Sequence, residues 1–247
     1  MTSVTFNNAV DPRTDLELLR RNLPLNEYEE QIKSFRNYIF KNESWILQET
    51  KFLSFISYIL NDSNEDNRVK LLRLLAHCAV KADIMSIFTD KEMRLVKYID
   101  ANFERNSVEE QKSVCLLLCQ MSSHSSGRNF LLYQSPWVNE EGAKKCNSQM
   151  TAKVAKISTE SLNPALRSFG IGLLHNISLK NESENCGEVL QAHFDLKRDL
   201  ASFLEEFKLK RAKSISENDG KICEKALENF LRPTTTSNTA DFDTNGT

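Results

Sequence analysis

The sequence predicts an all-α fold, a solenoid of stacked antiparallel helices, on three observations. The 247 residues include only 7 Gly and 5 Pro, against about 17 and about 12 at average usage. Strand-rich folds need both residues for tight turns, so their scarcity favours helices joined by short polar loops. Helix-start signals also recur along the chain. Finally, amphipathic segments alternate with segments that are apolar on every face. Matching apolar stretches begin at Leu74, Leu116 and Gly172, 42 and 56 residues apart. The first offset falls within the ~40–47-residue period of HEAT and armadillo repeats. The second equals one such period plus an insertion, placed at residues 137–148. An irregular helical bundle is the rival, and the repeat favours an armadillo/HEAT-like α-solenoid.

Each element follows from local chemistry. Asp11-Pro12 and then Thr14-x-x-Glu17 supply a cap, a proline and a capping box for a short helix ending near Leu23. Asn26 caps a second helix through Tyr28, Ile32, Phe35 and Ile39. A third spans residues 44–60, with Trp45, Phe52, Ile56 and Ile59 near one face, and residues 61–67 form a polar loop. Residues 69–80 are apolar almost all round and must be covered on several sides. Thr89-x-x-Glu92 caps an amphipathic helix carrying Met93, Val96, Ile99 and Phe103. Ser107-x-x-Glu110 caps the next, whose residues 114–121 are again apolar all round. After a polar break at 122–127, Ser135-Pro136 starts a further helix, and Asn163-Pro164 starts the one containing residues 169–178. Helices at 189–207 and 221–231 complete the chain, and Pro233 stops the last. The expected organisation is a disordered N-terminus at 1–10, the solenoid at 11–232 and a disordered Thr-rich tail at 233–247.

Composition excludes several function classes. With 32 basic and 34 acidic residues the net charge is −2, which offers no general attraction to nucleic acid or acidic membranes. The close glycines Gly170 and Gly172 lie inside an apolar run, and no phosphate-cradling or dinucleotide-binding pattern is present. None of the six cysteines forms a C-x-x-C pair, and no apolar run approaches the ~20 residues of a membrane helix. Residues 1–10 lack the basic and apolar regions of a signal peptide. Reduced thiols and a cytoplasmic location, with the nucleus as a second, are the expectation.

Candidate chemistry is sparse. Cys115 and Cys119 share a helix face, but zinc needs two further ligands, so buried apolar thiols are the plain reading and no metal is expected. His124 sits among serines without a visible acid, oxyanion hole or rigid elbow, so no catalytic residue is assigned and the chain reads as a non-enzyme without cofactor. His175 and Asn176 lie in a very apolar helix and must find polar partners. Stacked repeats place such an Asn so that its amide bonds neighbouring backbone, and that structural role ranks above direct ligand contact. Lys208, Lys210, Arg211 and Lys213 form a basic cluster, read first as a solvated face and second as an RNA contact. Arg73 interrupts a leucine run. It either pairs with an internal carboxylate or lines a concave surface that receives a peptide's carboxylates, and Arg167 is placed similarly.

Four stretches carry a resemblance. Val69-Lys70-Leu71-Leu72-Arg73-Leu74-Leu75, residues 115–128 ending in Gly127-Arg128, residues 163–179 with Asn176-Ile177-Ser178, and residues 208–231 together resemble the PUL domain of phospholipase-activating proteins in the ubiquitin system. The resemblance implies an armadillo-like solenoid acting as a non-enzymatic adaptor. Its groove would bind the C-terminal tail of the valosin-containing-protein AAA ATPase in ubiquitin-dependent protein turnover. Arg73 and Arg167 match positions that are often arginine in the family, and with Arg128 and Asn176 they are the expected partner-binding residues. Lys70 replaces a common aspartate, Ser113-Val114-Cys115-Leu116 lacks a usual arginine, and a late repeat is shortened between Asn181 and Leu209. A general helical scaffold for another protein partner is the alternative, followed by an RNA-associated helical repeat. No small-molecule substrate and no membrane partner are expected.

Overall fold

A computed structural model describes residues 2–6, 11–23, 25–41, 49–62, 64–80, 94–133, 137–138, 142, 144–145, 147–179, 187–211 and 214–232. The helices are α1 (Pro12–Asn22), α2 (Leu25–Lys41), α3 (Glu49–Leu60), α4 (Glu65–Cys78), α5 (Arg94–Asn102) and α6 (Val108–Ser122). They continue with α7 (Ser125–Tyr133), α8 (Asn147–Glu160), α9 (Pro164–Ser178), α10 (Gly187–Arg211) and α11 (Glu217–Leu231). A two-residue antiparallel ladder joins β1 (Trp137–Val138) to β2 (Lys144–Lys145).

The chain is an all-α helical repeat. In one row α1 packs on α4, α4 on α6, α6 on α9 and α9 on α11. In a second row α3 meets α5, α5 meets α8 and α8 meets α10. The rows are joined by α3 on α4, α8 on α9 and α10 on α11. Sequence order is kept along both rows, which is the arrangement of a solenoid in which each repeat rests on its neighbours.

The helices that are apolar all round occupy the first row. Leu71, Leu72, Leu74 and Leu75 of α4 are fully buried, as are Val114, Cys115, Leu117 and Cys119 of α6 and Ile171, Leu173 and Leu174 of α9. Each fully buried aliphatic side chain contributes about 1.5–3 kcal/mol. At the N-terminal end Phe35, Phe52 and Phe55 form a ring cluster, with centroids 5.3 Å apart for Phe35–Phe52 and 6.2 Å for Phe52–Phe55. Such pairs add to plain area burial.

Several helix starts form as the sequence predicts. Asn163 Oδ1 accepts the Leu166 N–H behind Pro164, and Ser107 Oγ accepts the Glu110 N–H. At α1 the cap is Asp11, whose carboxylate accepts the Arg13 N–H, and Thr14 lies inside the helix. The Glu110 side chain turns away from its own helix start. It is 0% exposed and instead grips Arg68 of α4 through two 3.1 Å hydrogen bonds while accepting the Tyr98 hydroxyl of α5. Three helices are thus fastened by one carboxylate, and burial together with that carboxylate pushes the Tyr98 hydroxyl's pKa upward.

The structure corrects other expectations. Residues 137–138 pair with 144–145 where a helix was predicted to follow Ser135-Pro136, and the helix begins at Asn147. The Asn147 amide donates to Phe130 O and the Thr151 hydroxyl to Leu131 O, closing the insertion onto α7. The polar break at 122–127 contracts to Ser123 and His124, because Gly127 lets α7 turn tightly onto the end of α6. A Cβ at Gly127 would sit 1.9 Å from Met121 O. Residues 2–6, expected to be disordered, lie extended against α6 and α9. Trp45, Thr89, Met93, Lys213 and the tail at 233–247 fall outside the described residues.

Close approach of α8 and α9 depends on Gly170, where a Cβ would lie 2.6 Å from the Thr159 backbone N. Gly170→Ala should lower unfolding stability by about 1–3 kcal/mol despite the better helix former. Gly220→Ala meets nothing nearer than Ile215 Cδ1 at 3.8 Å and should raise it by about 0.5–1 kcal/mol. Urea titration of both variants decides whether contact or propensity governs these sites.

Candidate functional site

Two consecutive first-row helices, α6 and α9, form a seam, and an extended segment lies along it. Asn176, 0% exposed, accepts the Val4 N–H at 2.7 Å and donates to the Val4 carbonyl at 2.8 Å. The same amide donates to Cys119 O of α6 at 3.1 Å. Gln120 Nε2 donates to the Phe6 carbonyl at 2.5 Å, and His175 Nε2 lies 3.2 Å from the Thr2 carbonyl. These are side-chain contacts to peptide backbone, which read chain direction and extension but no side-chain identity.

Side-chain selectivity enters at Phe6. Its ring lies over Gly172, where a Cβ would be 2.5 Å from Phe6 Cε2, and packs edge-on to Phe169 at 5.0 Å between centroids. Gly172 is therefore a slot for an aromatic ring rather than a flexible joint. Ordering five residues costs about 5–10 kcal/mol. Four neutral hydrogen bonds of about 1 kcal/mol each, with half-burial of Val4 and Phe6, return a comparable amount. The segment is held, with little in excess.

The sequence-predicted site residues are dispersed. Arg73 of α4 pairs with Asp15 of α1 through Nε–Oδ2 at 2.8 Å and Nη2–Oδ1 at 2.5 Å. The Asp15 side chain is 1% exposed and that of Arg73 is 21% exposed. Arg128 of α7 is buried and donates to Ser122 O and Ser123 O at the end of α6. Arg167 of α9 donates to Ser214 O at 3.1 Å and Leu162 O at 3.4 Å. Of the four, Asn176 touches the segment in the seam. Gln120, Phe169 and Gly172 escaped sequence reading. Gly172 in an otherwise apolar helix was the available signal, but only a partner ring gives it meaning.

Other clusters resolve into packing. Burial pushes the Cys115 thiol up to about 12 and the Cys119 thiol well above its ordinary value, so both stay protonated at neutral pH. Among the described residues no group of three or more His, Cys, Asp or Glu is placed to hold a metal ion. His124 Nε2 contacts Val80 O at 2.6 Å, joining the ends of α4 and α6. Lys208 pairs with Glu224 and Lys210 with Glu206, which partly balances the basic cluster.

Two outcomes follow. Arg73→Met leaves the Asp15 carboxylate buried without its guanidinium and should cost about 2–4 kcal/mol, of which Asp15→Asn in the same chain recovers part. A double-mutant cycle by denaturant unfolding measures the coupling. The second concerns His175, whose pKa burial lowers from 6.5, aided by Lys225 and opposed by the Thr2 carbonyl. The unfolded chain therefore binds the proton more readily. Stability contributed by neutral His175 is full above about pH 6.5 and falls as pH drops below it. Unfolding at pH 7 and pH 5 should show a larger loss for the unsubstituted chain than for His175→Gln.

No protein-family model and no curated protein matches the chain. Among solved structures it is similar to a crystal structure of an engineered protein, at 13% identity and a TM-score of 0.47, covering 90% of this chain and 96% of that one.

Proposed function

We propose that this chain is a non-enzymatic adaptor that binds extended peptides along its first helical row. Its ligand, on this reading, is the acidic C-terminal tail of the valosin-containing-protein AAA ATPase in ubiquitin-dependent turnover. The observation that carries peptide binding is the buried Asn176 amide, which holds both the N–H and the carbonyl of one residue in an extended segment. The choice of the ATPase tail rests on the resemblance to the PUL domain, and charge supports it. Arg167 is oriented by the Ser214 and Leu162 carbonyls, which fix a guanidinium without cancelling its charge.

The pairing of Arg73 with Asp15 also favours a second reading, a general helical scaffold for another protein. Titration of a labelled C-terminal ATPase peptide at two salt concentrations separates the two. The adaptor reading expects micromolar binding that weakens with salt, and a loss of about tenfold or more for Arg167→Glu. Absence of binding at low salt overturns the ATPase assignment and leaves the scaffold.

A further inference from the structure

The seam between α6 and α9 presents a ladder for every second residue of an extended chain. His175 meets Thr2, Asn176 meets Val4 and Gln120 meets Phe6. A spacing of two is one edge of a strand, where the N–H and carbonyl of the same residue point the same way. Asn176 uses that geometry fully, binding both groups of Val4. Gln120 does not. Its Nε2 binds the Phe6 carbonyl, while its buried Oε1 has no hydrogen-bond partner among the described residues.

The chain that fills this ladder is also bound to leave it, because five residues beyond Phe6 it must reach the Asp11 cap of α1. A strand without that tether can offer Gln120 the N–H and carbonyl of one residue, as Val4 does for Asn176. The side chains against the segment are Cys119, Gln120, Phe169, Gly172, His175 and Asn176, and burial keeps His175 neutral at neutral pH. An uncharged ligand suits them.

We infer that this seam is a docking surface for an extended, uncharged segment of a partner protein, with a β-branched residue followed two positions later by an aromatic one. Residues 2–6 are its exchangeable occupant in cis. The inference rests on the adaptor reading but uses different chemistry, since no ion pair joins ligand to seam. Its binding is therefore insensitive to salt, unlike that of an acidic tail.

The tether gives the cis segment an effective concentration near the millimolar range. Apparent affinity for a competing peptide falls by the fraction of open seam. The probe is a labelled peptide with the sequence of residues 2–7, titrated into the full chain and into its Val4→Pro variant. Proline removes the N–H that Asn176 accepts and leaves α6 and α9 untouched. The peptide should bind Val4→Pro tenfold or more tightly than the unsubstituted chain. Adding Asn176→Ala, or Gly172→Ala to fill the ring slot, should abolish that gain.

A second measurement needs no variant. Excess peptide should accelerate hydrogen exchange at the Val4 amide of the unsubstituted chain. Equal binding to both chains, no binding to a helical Val4→Pro, or an unchanged Val4 exchange rate overturns the inference. Concentration-dependent dimerisation with Val4 still protected would assign the seam to a second copy and overturn the cis occupant. Failure of the ATPase-tail titration alone leaves this result standing, because the two ligands differ in charge and in salt response.

Discussion

The structure depends on one constraint: the central turns of α4, α6 and α9 are apolar almost all round. A helix with a single apolar stripe can rest on one neighbour, whereas these must be enclosed. The chain meets the demand by stacking them in one row, covering them with α2, α3, α7 and α8, and closing the ends with α1 and α11. The close spacing follows from small residues. Gly127 and Gly170 admit backbone where any other residue would place a Cβ against it. Burial of Leu71 to Leu75, Val114 to Cys119 and Ile171 to Leu174 then couples every repeat to the next.

Apolar burial does not set register, because leucine stripes slide at little cost. The buried polar groups supply it. Glu110 joins Arg68 and Tyr98 across α4, α5 and α6, and Asp15 joins α1 to Arg73 of α4. At the far end the Ser168 hydroxyl donates to Asp219 at 2.9 Å and the Asn229 amide to Ser178 at 3.1 Å, linking α9 to α11. A shift of one residue in any of these pairs strands a buried charge or amide, which costs more than the displaced contacts. Arg73, which interrupts a leucine run and offered either an internal carboxylate or a ligand as its partner, belongs to this set through Asp15.

What was legible in the sequence was what short-range chemistry decides. The helix-only fold, the caps at Asn163 and Ser107, and the enclosure of α4, α6 and α9 all follow from residues within about one turn of each other. What was not legible needed a distant partner. Ser107-x-x-Glu110 has the spacing of a capping box, yet the Glu110 side chain gains more from a desolvated guanidinium than from its own helix end. Residues 1–10 look like a polar terminus because Val4 and Phe6 are isolated apolar residues, and their partner Asn176 lies 172 positions beyond Val4. Asn176 itself was visible as a buried amide in need of partners, while the identity of the partner was not.

On the proposed reading, the amides and the arginines of this helical row meet two kinds of ligand by different chemistry. A guanidinium recognises carboxylates wherever they occur, and its pull extends over a Debye length and weakens with salt. A carboxamide pairs with a peptide unit at contact distance, in one orientation, and carries no net charge. Asn176 and Gln120 therefore fix the path of residues 2–6, and Gly172 and Phe169 hold the Phe6 ring along it. Because the backbone contacts are indifferent to sequence, the chain's own residues 2–6 satisfy those at Asn176 as readily as any other strand, while Gln120 Oε1 is left without a partner among the described residues. Selectivity then rests on the ring slot, and occupancy rests on the balance between tether and ordering entropy.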